Sequence, residues 1–162
     1  MTRGASQRVH TDRRRGGFSL IELLMAVSIV GILAGLAIPN LRNMTWRARA
    51  TEVAADLEVV KISTAQYNGD AFAWPAEVSP GVVPPELVGH LPGGFSFQGN
   101  GYELDYDRLS PVVIASDPNT TQLIAVSVIL DTDELSNAVL ELLGGSILYS
   151  VGRRHTVIID RS

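Results

Sequence analysis

From Phe18 to Ile38 the chain runs for 21 residues with one charged side chain, Glu22. At about 1.5 Å of rise per residue, such a run makes a helix roughly 30 Å long, the thickness of a bilayer's hydrocarbon core. A segment of this length and composition is expected to cross a membrane. A secretory signal would have a shorter apolar stretch closed by a small-residue cleavage site, whereas this run passes into Pro39, Asn40 and a charged helical pattern. Ahead of it stand Arg3, Arg8, Arg13, Arg14 and Arg15 against one acid, Asp12. The positive-inside rule therefore puts the N-terminus in the cytoplasm and the C-terminal region across the membrane.

Charge and composition narrow the function classes. Five of the 13 basic and one of the 17 acidic side chains precede Phe18, leaving eight against sixteen in the rest of the chain. That balance is the opposite of a nucleic-acid-binding surface. With no cysteine, an exported domain has no disulfide, no thiolate nucleophile and no Cys-ligated zinc. His10, His90 and His155 are scattered, and no nucleophile elbow, phosphate-binding glycine loop or metal-spaced histidines occur. Neither catalysis nor a cofactor is expected. The nearest approach to a metal constellation is Asp131, Asp133 and Glu134, with Asp117 and Asn119 nearby, oxygen donors of the kind that suit calcium. Helix capping explains these acids without a metal.

The junction Arg13-Arg14-Arg15-Gly16-Gly17-Phe18-Ser19-Leu20-Ile21-Glu22 resembles the processing site of type IV pilins and type II secretion pseudopilins. The resemblance implies cleavage between Gly17 and Phe18 by a prepilin peptidase, which also methylates the new amine to give N-methylphenylalanine. It further implies that Glu22 of one subunit neutralises the Phe18 amine of its neighbour, setting register as a filament grows. A carboxylate in an apolar helix costs about 2.5 kcal/mol or more near the bilayer centre and less near an interface, so a partner amine would offset a real penalty. A lone acid that reaches the interface is the plainer reading of Glu22.

Within the run, Gly31 and Gly35 have the Gly-x-x-x-Gly spacing that allows close helix approach in lipid, although such spacings arise often in apolar segments. Gly31 to Pro39 is also the stretch least committed to helix, because glycine costs about 1 kcal/mol relative to alanine and proline removes a donor. The resemblance implies that it unwinds inside a filament. Missing cysteines depart from the disulfide of many major pilins and favour a pseudopilin or minor pilin. Glu22 speaks against a filament-tip pseudopilin, which often lacks that acid.

Past Pro39 the pattern turns amphipathic. Leu41, Met44, Ala48, Val53, Leu57, Val60, Thr64 and Tyr67 recur near helical spacing, with Arg42, Arg47, Arg49, Glu52, Asp56, Glu58 and Lys61 on the other, solvated face. Asn68-Gly69-Asp70 is the expected stop. Phe72-Ala73-Trp74-Pro75 resembles the family's aromatic-Pro turn, with Trp74 as a core plug. The proline-rich stretch from Glu77 to Gly94 reads as a loop with a helical turn at Pro85 to His90. Tyr102, Leu104 and Tyr106 then alternate with Glu103, Asp105 and Asp107, a half-buried strand with an acidic stripe toward solvent or toward a basic neighbour. Pro111 to Ser116 and Gln122 to Leu130 extend this as an antiparallel meander turning at Asp117-Pro118-Asn119. A short helix at Thr132 to Leu143, started by Asp131 or Asp133 and ended by Gly144-Gly145, precedes a hairpin of Ser146 to Val151 and His155 to Asp160 around Gly152-Arg153-Arg154.

The expected organisation is a cleaved leader (1–17), a transmembrane and filament-core helix (18–39), an amphipathic half-helix (40–69) and a β-rich globular domain (70–162). Its fold class is α+β, pilin-like, with the long helix packed on a small antiparallel sheet. The resemblance implies a structural subunit that starts in the bacterial inner membrane and ends in a periplasmic or extracellular filament. Its implied partners are the prepilin peptidase, other subunits, the membrane, and the inner-membrane assembly platform with its ATPase. Rivals are a single-pass anchored binding or sensor domain and an anchored enzyme.

Overall fold

The computed structural model describes residues 17–109 and 122–161, and the expected strand Pro111 to Ser116 and its turn lie outside them. The chain divides into two compact units, Met1–Asn40 and Leu41–Ser162. Helix α1, Leu20–Ala71, supplies both with helical residues and is followed by a 3₁₀ turn at Pro85–Leu87. The remaining elements are β1 (Gln98–Gly99), β2 (Tyr102–Leu109), β3 (Leu123–Leu130), α2 (Asp133–Leu143), β4 (Ile147–Val151) and β5 (Arg154–Arg161). This is the α+β architecture that the resemblance implied.

In the second unit, α1 buries Ala50, Val53, Leu57, Val60 and Thr64 at three- and four-residue spacing. They share one core with Tyr102, Leu104 and Tyr106 of β2, with Ile124, Val126, Val128 and Leu130 of β3, and with Val157 of β5. The pairings Leu104 with Val128 and Val128 with His155 place these side chains on one face of the sheet. Burying one side chain of this size contributes about 1.5–3 kcal/mol. The core begins lower on the helix only as far as half-buried Trp46; Leu41 and Met44 are 60% and 66% exposed, and Ala48 is also exposed, against the amphipathic expectation. Among the described residues no strand or second helix buries them.

Neighbouring strands are all antiparallel, in the order β1-β2-β3-β5-β4. The C-terminal hairpin therefore folds back so that its second strand, not its first, pairs with β3. Its loop is Gly152-Arg153, with Gly152 at φ +59°, the positive φ that the first position of a tight two-residue hairpin loop demands. Arg154 belongs to the strand rather than to the turn.

Two termini differ from expectation. Helix α1 continues past Asn68-Gly69-Asp70 to Ala71, and Phe72, at φ +51°, turns the chain. The Asn68 side chain secures that turn by donating to the Ala73 carbonyl at 3.3 Å. Helix α2 is capped by Thr132, not Asp131 or Asp133: its hydroxyl accepts from Leu135 N–H at 3.4 Å, while Asp133 and Glu134 sit in the first turn, where the helix dipole favours acids.

His155, one of three histidines that looked scattered in the sequence, is completely buried and ties α2 to the sheet. Its Nε2 lies 2.7 Å from the Ser136 hydroxyl and its Nδ1 2.9 Å from the Ser150 hydroxyl, so one ring nitrogen donates and the other accepts in the neutral form. Burial lowers its pKa below the ordinary 6.5. Because the folded state favours the neutral ring, the stabilisation is complete above pH 6.5 and is lost as pH falls through the lowered folded value. Denaturant unfolding of the detergent-solubilised full chain should show stability declining in that acid window, with the decline reduced in His155→Gln.

Candidate functional site

The helix starts where the proposed processing site ends. Gly17 to Ser19 are non-helical, and the Ser19 carbonyl accepts from Leu23 N–H at 3.1 Å, which makes Ser19 the residue flanking the first turn. Glu22 falls in that turn, where the N-terminal dipole favours a carboxylate. Phe18 is 84% exposed and Glu22 is exposed, with no ion pair among the described residues. A carboxylate so placed is available to a cation from outside its own chain.

The apolar surface behind it is uncovered. Every residue from Leu20 to Ile38 is exposed except half-buried Ala34, and the most apolar stretch of α1 has no buried residue. By length and composition this helix can cross a membrane. A Cβ added at Gly31 or Gly35 would meet nothing within 4 Å, so no contact among the described residues explains these glycines. They lie one helical turn apart and leave the backbone open to close approach. Pro39 lies inside the helix and cannot donate to the Gly35 carbonyl, whereas Asn40 adds a side-chain donor to the Leu36 carbonyl at 3.2 Å. The stretch from Gly31 to Pro39 is helical here with one backbone bond fewer than an unbroken helix.

The calcium candidates do not converge. Among the described residues no three acidic or histidine side chains form a metal-holding group. Asp133 faces Arg153 at 3.9 Å, the Asp131 carbonyl accepts from the Arg153 guanidinium, and Glu134 lies beside the base of the amphipathic half-helix. Asp133 is thus paired, and with Glu134 it occupies the first turn of α2, where the helix dipole favours acids.

The acidic stripe of β2 is a larger correction. Asp105 and Asp107 are 5% and 7% exposed rather than solvent-facing. Arg154, brought beside them by β5, donates to Asp105 and to Asp107 at 2.7 Å, and the Ser127 hydroxyl bonds Asp107 while contacting the Thr156 hydroxyl at 2.7 Å. One guanidinium serves two carboxylates. Burial, and then the charge of Asp107, raise the Asp105 pKa against the opposing pull of Arg154. Only the β3-β5 pairing, which sets Ser127 opposite Thr156, reveals this cluster.

Residues 12–38 match the family model described as the prokaryotic N-terminal methylation motif. The chain thus carries a prepilin-type N-terminus. It is 34% identical over 64 residues to the type II secretion system core protein G of Pseudomonas aeruginosa, covering 40% of this chain and 45% of that protein. It is 38% identical over 69 residues to the type IV major pilin protein PilE1 of Neisseria gonorrhoeae, covering 43% and 32% respectively. A fimbrial protein of Moraxella nonliquefaciens is 42% identical over 59 residues, 35% of this chain and 38% of that protein. The chain thus spans less than half the length of these relatives. No solved structure matches it.

Arg154→Met would strand two buried carboxylates and should cost about 3 kcal/mol at neutral pH. Protonation of Asp105, with its raised pKa, relieves part of that loss, so the deficit should shrink as pH falls into the carboxylate range. Denaturant titrations of wild type and variant between pH 7 and pH 4 check both statements; a pH-independent deficit would contradict the second.

Proposed function

We propose that this chain is a structural subunit, a pseudopilin or minor pilin, of a type II secretion pseudopilus or type IV pilus. The observation that carries the reading is the uncovered apolar helix directly behind a prepilin-type junction. A prepilin peptidase cuts between Gly17 and Phe18 and methylates the Phe18 amine, which stays charged. The subunit sits in the inner membrane, leader in the cytoplasm and globular unit outside, until an assembly platform and its ATPase move it into a filament. There the apolar helices bury one another, Glu22 meets the Phe18 amine of a neighbour, Gly31 and Gly35 admit close helix packing, and Gly31 to Pro39 unwinds. No catalytic step is assigned to any residue.

A single-pass anchored binding domain is the second reading, and it predicts that the leader stays attached. Intact-mass and N-terminal analysis of the chain expressed with its native peptidase separates the two. The pilin reading expects a chain beginning at methylated Phe18, and for Glu22→Ala it expects normal cleavage with loss of filaments. A mature protein that keeps residues 1–17 would refute it.

A further inference from the structure

The turn that ends α1 holds a large aromatic side chain out in water. Phe72 stands just past the last helical residue at φ +51°, the left-handed conformation that glycine adopts freely and a bulky residue does not. It is 91% exposed, and Ala71 and Ala73 on either side of it are exposed as well. The strained backbone therefore presents an apolar tip and fills no core. An aromatic ring of this kind, taken out of water by a partner, is the usual anchor of a protein interface.

The second unit also has a place for such a ring. An open cleft of about 380 Å³ lies between α1 and α2, lined by Arg47, Ala50, Thr51, Ala138, Glu141 and Leu142. Ala50, Ala138 and the half-exposed Leu142 give it an apolar lining, and the Arg47 guanidinium can lie against an aromatic face. At about 1.5 Å per residue, the helix from Thr51 to Ala71 sets cleft and tip roughly 30 Å apart, so Phe72 cannot enter the cleft of its own chain. Charge complements shape. Between Glu22 and Glu52 the chain has Arg42, Arg47 and Arg49 and no acid, whereas between Lys61 and Arg108 it has no lysine or arginine, and Asp70 and Glu77 there are exposed. The Asp70 side chain, two residues before Phe72, meets His90 at 3.2 Å yet stays 80% exposed. Unlike ends of two copies attract and like ends repel.

We propose that Phe72 of one copy seats in the α1–α2 cleft of a second copy, with Asp70 facing Arg47. The contact joins two different surfaces, so it leaves a free Phe72 on one copy and a free cleft on the other. Repetition gives an open fibre whose bonded copies are offset by about 30 Å along α1. The inference rests on the chain assembling into a filament, and it assigns to the globular units a contact separate from the burial of the apolar helices.

The chain has no cysteine, so an engineered pair reports a single contact. Thr51→Cys in the cleft and Ala73→Cys beside Phe72 are too far apart to join within one chain. Oxidation of filament-bearing cells that express this full chain with its native peptidase should give a ladder of cross-linked dimers, trimers and longer species on a non-reducing gel. Adding Phe72→Gly removes the ring and relieves the positive φ, so cross-linking should fall at least ten-fold while the thermal midpoint of the detergent-solubilised chain holds or rises. Leu142→Lys, on the other side of the contact, should reduce the ladder as much. Filaments without cross-links, products that stop at the dimer, or a ladder indifferent to both variants would overturn the proposal. A lower thermal midpoint for Phe72→Gly would also overturn it, because Phe72 would then hold its own fold and not a neighbour. Absence of filaments from cells with the unsubstituted chain would refute the filament reading itself, and this contact with it.

Discussion

A helix whose apolar side chains stay mostly exposed among the described residues of their own chain has to be covered by lipid or by other copies. Thirteen large apolar side chains between Phe18 and Ile38 are more than half exposed. At about 1.5–3 kcal/mol for each side chain taken out of water, their burial is worth roughly 20–40 kcal/mol before entropy is counted. The penalty for one carboxylate in that environment, a few kcal/mol, is small beside it. On the proposed reading, apolar burial decides where the helix goes, and Glu22 sets how neighbouring helices register within it.

The globular unit solves a different problem, which is to hold a short sheet firmly against a helix whose other end is committed elsewhere. Ala50 to Thr64 provide the apolar seam. Polar contacts fix its registry at a few points. The Tyr102 hydroxyl donates to the Asp56 carboxylate, and a side chain at Gly99 would overlap the Tyr102 ring, so a bare backbone is needed for that ring to reach the helix. Ser63 donates to the His90 carbonyl at 3.0 Å, and the His90 ring meets Asp70 at 3.2 Å, which fastens the long proline-rich loop to the end of α1. On the far face of the sheet, Arg154 between Asp105 and Asp107 does the corresponding work for β5.

What was legible in the sequence followed from one-dimensional pattern. The apolar run, the basic residues before it, the alternation of Tyr102, Leu104 and Tyr106, and the positions of α2 and the final hairpin all rest on spacing along the chain. Pairing between distant segments was not legible. Asp105 and Asp107 looked like a solvent stripe because nothing local announces that Arg154, almost fifty residues later, will be inserted beside them through β3. His155 looked isolated for the same reason, since Ser136 and Ser150 reach it only once α2 and β4 have folded over and beside β5. Leu41 and Met44 show the converse failure. Periodicity marks them as a buried face but cannot say whether the cover comes from the same chain, and none of the described residues supplies it.

The central claim is that the Leu20 to Ile38 surface is covered by copies of itself, with Glu22 set against a neighbour's N-terminus. Electron cryomicroscopy of filaments sheared from cells that express the native chain tests it most directly. The account predicts the helices bundled along the filament axis, each Glu22 carboxylate within about 4 Å of the amine of a neighbouring Phe18, the distance of an ion pair. Filaments in which these helices lie at the periphery, or in which Glu22 faces only apolar side chains, would contradict it.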